Sequence, residues 1–157
     1  MNKALSLAVA ATLSCASLNS EAQTMIGKTT DVAAIANGDR MNAETLWAMG
    51  RIGGAAASPD GKTVVYQVGY YSVKQNKSHQ MLYTVSADGK KQHSLTTTAA
   101  SESDATWIDG GKRIAFLTGG QLWSMNADGT DRRQLTKSEI DIEGYIFSPD
   151  EKKVILI

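Results

Sequence analysis

Two stretches forty residues apart follow one frame: "LYTVSADGKKQHSLT" from Leu82 and "LWSMNADGTDRRQLT" from Leu122 share a leucine, an aromatic, Ala-Asp-Gly and Leu-Thr. The halves that precede them align as well. "SPDGKTVVY" from Ser58, "IDGGKRIAF" from Ile108 and "SPDEKKVIL" from Ser148 are spaced by 50 and 40 residues. The extra ten residues fall in "GYYSVKQNKSHQ", Gly69 to Gln80, expected to be an enlarged loop. A unit of this size repeated along a chain cannot bury its apolar surface alone and has to stack against its neighbours.

Each unit reads as four strands. A first strand enters a turn in which Pro59 presets the backbone and Asp60-Gly61 supply a local side-chain bond and a permissive conformation. The second strand, Thr63 to Val68 or Arg113 to Leu117, is apolar on both faces, as a strand covered by layers on both sides should be. The third carries Leu82-Tyr83 or Leu122-Trp123, and an Ala-Asp-Gly turn leads to a fourth ending in Leu-Thr. Four short strands at a period of roughly 40 predict the blade of a β-propeller, and hence an all-β fold built from four-stranded antiparallel sheets. The expected units cover about residues 55–98 and 105–136, with a third starting at 145. The chain closes at Ile157 inside the second strand of that third unit, so the reading expects an incomplete propeller over 55–157, the front of a longer protein.

Ahead of the repeats, "NAETLWAMG" predicts a short helix, with Asn42 as its cap, Glu44 in its first turn and Gly50 as a left-handed stop. Leu46 and Met49, with Trp47 beside them, are expected to press it onto the first unit. The first 22 residues read as a signal peptide: Lys3, an apolar run from Ala4 to about Leu18, and a small-x-small site ending at Ala22. That run is shorter than the ~20 apolar residues a membrane span requires. A periplasmic or secreted location follows, with residues 23–54 as a lead-in. Cys15, the only cysteine, lies in the signal segment, so the mature chain is expected to hold no disulfide. It is also the acylated residue of an alternative lipoprotein reading, in which Thr12 stands where such signals carry a large aliphatic side chain.

Sixteen basic residues balance sixteen acidic ones, which removes any bulk electrostatic case for nucleic acid or an anionic membrane as partner. Candidates for chemistry are few. His79 falls in the enlarged loop and His93 where the next unit has Arg133, both positions that read as facing solvent without a partner base or acid. Asn126, Asp128 and Asp131 offer three oxygens in "NADGTD", yet the full calcium-loop pattern is absent and a turn is the better reading. Glu139, Asp141 and Glu143 alternate with Ile140 and Ile142, so at strand spacing the three acids share one face. They are either a solvated stretch between units or weak candidates for contact with a substrate. No cofactor and no metal site is expected.

The S-P-D-G-K turn, the apolar strand, the leucine-aromatic strand, D-G and L-T resemble the WD40-like propeller repeats of the bacterial TolB type. "MNAETLWAMGRIGGAAASPDGKTVVYQV", Met41 to Val68, is similar to the start of the propeller in secreted peptidases of family S9, the prolyl oligopeptidase and dipeptidyl peptidase group. That resemblance implies an α/β-hydrolase domain after the propeller, with a serine on a G-x-S-x-G elbow followed by Asp and His. No serine of this chain sits in G-x-S-x-G, so no catalytic residue is transferred. Peptide substrates would reach the protein through that further domain, with the propeller gating their access. Dipeptidyl peptidases of the family hold the substrate's ammonium with a glutamate pair on an inserted element, and its pattern is not found around Glu139 to Glu143. The alternative is a non-catalytic, TolB-like periplasmic scaffold for other proteins. TolB proteins place a sizeable α/β domain before their propeller, and the span from Gln23 to Ala55 is too short for one.

Overall fold

The computed structural model describes residues 41–157; the expected signal peptide, its cut after Ala22, and Cys15 lie outside the described residues. Helix α1 (Ala43–Ala48) starts where Asn42 Oδ1 accepts from the Thr45 amide and hydroxyl, each at 2.7 Å, and Glu44 lies in its first turn. Its end corrects the sequence reading. Met49 leaves the helix in an extended conformation (φ −71°, ψ 130°) and Gly50 is not left-handed. Glycine is required there by proximity, because a Cβ on residue 50 would lie 2.7 Å from Val68 Cγ1 and 2.9 Å from Tyr70. Thr45 is the buried side chain of α1, whereas Leu46 and Trp47 stay 44% and 42% exposed.

Two four-stranded antiparallel sheets follow, each in simple sequence order. The first holds β1 (Arg51–Ala57), β2 (Thr63–Ser72), β3 (Lys77–Ser86) and β4 (Gln92–Ser94). The second holds β5 (Ser103–Ile108), β6 (Arg113–Thr118), β7 (Gln121–Asn126) and β8 (Arg133–Gln134). A hairpin of β9 (Tyr145–Phe147) and β10 (Val154–Leu156) opens a third unit. These are four-stranded antiparallel units of the kind the repeat predicts, and the described residues are all-β apart from α1 and a 3-10 turn at Asp109–Gly111. Pairing of Thr84 with His93 and of Ser124 with Arg133 puts His93 and Arg133 at the same place in the two sheets.

The "enlarged loop" is not a loop. Strands β2 and β3 run on in register from Thr63↔Ser86 to Ser72↔Lys77, so Gly69 to Gln80 forms the far end of a long hairpin with only four residues left to turn. In the second sheet the equivalent hairpin closes through Gly119 and Gly120 alone, both at positive φ. The first sheet's hairpin therefore projects four residues further on each strand, about 13 Å at ~3.3 Å per residue.

The S-P-D-G turn recurs more often than the forty-residue period suggests, because "SADG" builds it as well. Ser58, Ser86 and Ser148 each donate a hydroxyl to the aspartate two residues on, at 2.6, 2.5 and 2.7 Å. That aspartate accepts the amide of Lys62, Lys90 or Lys152, and the serine oxygen accepts the amide five residues on. Asn126 and Asp128 make a near copy, closed by Thr130. Gly61, Gly89 and Gly129 hold the left-handed position, which Glu151 fills in the third unit at φ 55°.

Burial explains the stacking. Strand β5 lies across the first sheet, and Val65, Leu82, Leu95, Ile114, Phe116 and Met125 form one core between the two units, each 1% exposed or less. A second core of Ala115, Leu117, Leu122, Ile142 and Tyr145 joins the second unit to the third. The Leu-Thr that ends each unit is a lock. Leu82 N–H donates to Thr96 Oγ1 while its carbonyl accepts from Leu95 and Thr96, and Leu122, Leu135 and Thr136 repeat the arrangement. Each threonine closes the backbone groups that the short fourth strand leaves unpaired.

Candidate functional site

The most elaborate polar arrangement sits between the first two units. Glu102, 1% exposed, accepts from Arg132 Nη1 at 2.5 Å and Nη2 at 3.2 Å, and from Thr96 Oγ1 at 2.8 Å. Arg132 Nη2 also donates to the Leu95 carbonyl at 2.8 Å, and its guanidinium lies 5.2 Å from the centre of the Phe116 ring. Glu102 N–H donates to the Gln80 carbonyl. Glu102 thus ties the end of the first unit to β3 through its amide, and to Thr96 and the second unit's last turn through its carboxylate. Sequence reading missed this group. Ile142 occupies the equivalent place at the next junction, where its amide donates to the Gly120 carbonyl, so the repeat itself gives no signal for an ion pair at that position.

A cleft of about 610 Å³ opens at the turn end of the same junction, with Asp60, His93, Trp107, Lys112 and Asp128 among its walls. Its carboxylates are engaged by their own turns. The Ser58 hydroxyl, followed by the Lys62 amide, holds Asp60 below the usual carboxylate range, and Thr130 does the same for Asp128 with a smaller pull from His93. The Ser58 and Ser86 hydroxyls on this wall donate to Asp60 and Asp88, so both serve turns rather than an imidazole base. The cleft sets Trp107 beside side chains of both charges, and neither serine on its wall is placed as an activated nucleophile.

His79 is not exposed in a loop: it is 3% exposed on β3, with Nε2 3.0 Å from the Ala100 carbonyl. The hairpin extension carried it inward. His93 is exposed on β4. Asn126 and Asp131 aim oxygens at Arg113 Nη1, both at 2.8 Å, and Asp131 also meets Arg133 at 2.8 Å. Arg113, then Arg133, holds the Asp131 carboxyl low. Those oxygens serve cations of the protein itself, and among the described residues no cluster of acids, histidines or cysteines is arranged for a metal. Glu139, Asp141 and Glu143 are exposed, but they lie on an irregular connection rather than a strand. Its backbone is held by Ile142 N–H to Gly120 and Glu143 N–H to Ile157, and Ile142 is buried while Ile140 is 78% exposed. The alternation in sequence is therefore not strand pleating. No helix among the described residues is long and apolar enough to cross a membrane.

At the opposite end, Arg51 lies between two aromatic rings, 4.9 Å from the Trp47 centre and 4.5 Å from that of Tyr71. Trp47 and Tyr71 meet edge-on at 5.5 Å, which joins α1 to the projecting hairpin. This explains why Trp47 contributes to packing while half exposed.

Together the sheets and their junctions define a repeat domain of four-stranded antiparallel units stacked through shared cores, the architecture of a partial β-propeller. Dipeptidyl-peptidase 5 of Porphyromonas endodontalis is 42% identical over 119 residues, 73% of this chain, and the protein of the same name from Porphyromonas gingivalis is 42% identical over 122 residues, 75% of this chain. The chain spans only 17% and 18% of the lengths of these relatives. Among solved structures, the acylaminoacyl peptidase of Pyrococcus horikoshii matches with a TM-score of 0.58 at 14% identity, over 71% of this chain and 18% of that one. An acylaminoacyl peptidase bound to Z-Gly-Gly-Phe-chloromethyl ketone matches with a TM-score of 0.60 at 13% identity, over 73% and 18%. At such identities the structural matches establish a shared fold. No family model matches the chain. The sequence and fold likenesses together support a relationship to the S9 peptidases.

Proposed function

We propose that these residues are the leading blades of the propeller of an exported S9-type serine peptidase, in which the propeller limits the size of peptides that reach a separate hydrolase domain. The observation that carries this reading is the 42% identity to dipeptidyl-peptidase 5 over 119 residues, 73% of the chain, together with the repeated four-stranded sheets. The organisation that goes with it is a signal peptide over 1–22 cut after Ala22, a lead-in over 23–54, and blades from 55 onward. Peptides are the substrates of the whole protein, and the chemistry belongs to a nucleophile outside residues 41–157. Glu139, Asp141 and Glu143 are exposed and stay weak candidates for contact with a substrate.

The test compares the complete product of the gene with a form lacking residues 41–157, or with the ring opened by substitutions at the Glu102 junction. With dipeptide chromogenic substrates both forms should turn over; with a denatured protein substrate only the opened form should gain activity. Equal size selectivity in the two forms would remove the gating role.

A further inference from the structure

The extra length of the first unit falls at one end of its sheet. The opposite end is uniform: backbone bonds run from the Ser58 amide to the Thr63 carbonyl, and likewise from Ser86 to Lys91, Asn126 to Thr130 and Ser148 to Lys153, so the units close there in the same short turn. Where the units of a repeat protein differ in length at one end only, that end is often the face that meets a ligand. Here it is the end of the β2–β3 hairpin, of the Gly119–Gly120 turn and of the connections between units. His79 and Gln80, at the hairpin's base, bond to Ala100 and Ser101 of the first connection, and Ile142 of the next bonds to Gly120. The first unit therefore stands about 13 Å above the second at this end. A two-stranded ribbon alone in water is marginally stable at best, so such a projection needs support. Helix α1 supplies it from the side: Arg51 lies 4.9 Å from the Trp47 ring and 4.5 Å from the Tyr71 ring, on the projecting part. The tip is closed by the Gln75 amide donating to Ser72 Oγ and the Asn76 amide donating to the Val73 carbonyl, both at 3.2 Å.

We infer that, given the peptidase reading above, this braced hairpin is the element that sets the size limit: a wall at the first unit that lets short peptides pass and turns long chains away. A loose loop of the same length would yield to a long chain, whereas a ladder paired up to Ser72↔Lys77, and held at its base and along its side, does not. Trp47, Arg51 and Tyr71 are positioning residues, acting on substrates through the hairpin they hold in place.

The test is made in the complete gene product. Replacing residues 71–78 by Gly-Gly leaves Tyr70 paired with His79 and copies the turn of the second unit. The shortened form should hydrolyse dipeptide chromogenic substrates as wild type does, while its kcat/KM for a denatured protein substrate rises about tenfold or more. Tyr71→Ala keeps the hairpin's length but removes its brace, and should raise the same ratio of protein to dipeptide hydrolysis severalfold. Tyr71→Phe keeps the ring beside Arg51 and should match wild type. This pair decides the matter if circular dichroism shows the shortened form unfolded. A merely structural role for the hairpin would lower both activities together and leave their ratio unchanged. An unchanged ratio in the shortened and Tyr71→Ala forms overturns the size wall alone; a complete product that cleaves neither substrate overturns the peptidase reading and the wall with it.

Discussion

Replacing Arg132 by alanine isolates the Glu102 carboxylate. With 1% exposure and only the Thr96 hydroxyl left as a donor to it, Glu102 must either stay charged in the core or take up a proton. Removing one partner of a buried pair costs about 3–5 kcal/mol, and the 22% exposure of Arg132 places this pair at the lower end, about 3 kcal/mol. The lost donation to Leu95 and the contact with Phe116 are included in that figure. Since whole domains are stable by ~5–15 kcal/mol, the loss is easily seen. In urea titrations followed by circular dichroism, Arg132→Ala should lower the midpoint by roughly 1–3 M at unchanged slope. The double variant Glu102→Ile, Arg132→Met imitates the junction at Ile142 and should lie within about 1–2 kcal/mol of wild type, the remaining loss reflecting the Thr96 hydroxyl proton. If Arg132→Ala costs less than about 1 kcal/mol, or the double variant is as unstable as the single one, the reasoning about a buried, uncompensated charge is wrong.

Gly61→Ala should cost about 1–2 kcal/mol by backbone conformation alone, because φ is 68° and a new Cβ there meets nothing within 4 Å; an unchanged urea midpoint would contradict this. Tyr145→Phe removes a hydroxyl that donates to the Asp104 and Ala115 carbonyls at the second junction and should cost about 1 kcal/mol by the same assay. The turn carboxylates Asp60, Asp88, Asp128 and Asp150 have lowered pKa values in the folded chain, chiefly through the hydroxyls of Ser58, Ser86, Thr130 and Ser148. Their contribution is therefore fully present above the unfolded pKa of about 3.9 and is lost as pH falls through the folded values. Urea midpoints should be level from pH 7 to about 5 and fall below about 4; a level profile down to the folded values would show that the turns do not discriminate between protonation states.

The repeat made the blades legible because strand order, turn chemistry and apolar runs all recur at one spacing, and Ser58, Asp60 and Gly61 act as their residue types suggest. What the sequence left hidden depends on apposition. The Gly69–Gln80 segment contains turn-like Asn, Lys and Gln residues, yet cross-strand pairing up to Ser72↔Lys77 overrides them and buries His79. Gly50 looked like a helix stop and is instead a point of close contact with Val68 and Tyr70, which no local pattern reveals. Glu102 and Arg132 are thirty residues apart, and only the stacking of one unit on another brings them together. The alternation of Glu139, Asp141 and Glu143 matched a strand period, but the segment crosses between units, where its backbone pairs with Gly120 and Ile157 instead of a ladder.

The most direct test of the peptidase reading is to label the complete gene product with a fluorophosphonate probe and locate the modified residue by mass spectrometry. The account predicts one labelled serine within a G-x-S-x-G sequence beyond Ile157, with residues 23–157 expressed alone remaining unlabelled. Stoichiometric labelling of a serine between Gln23 and Ile157, or a complete product that does not react at all, would contradict it.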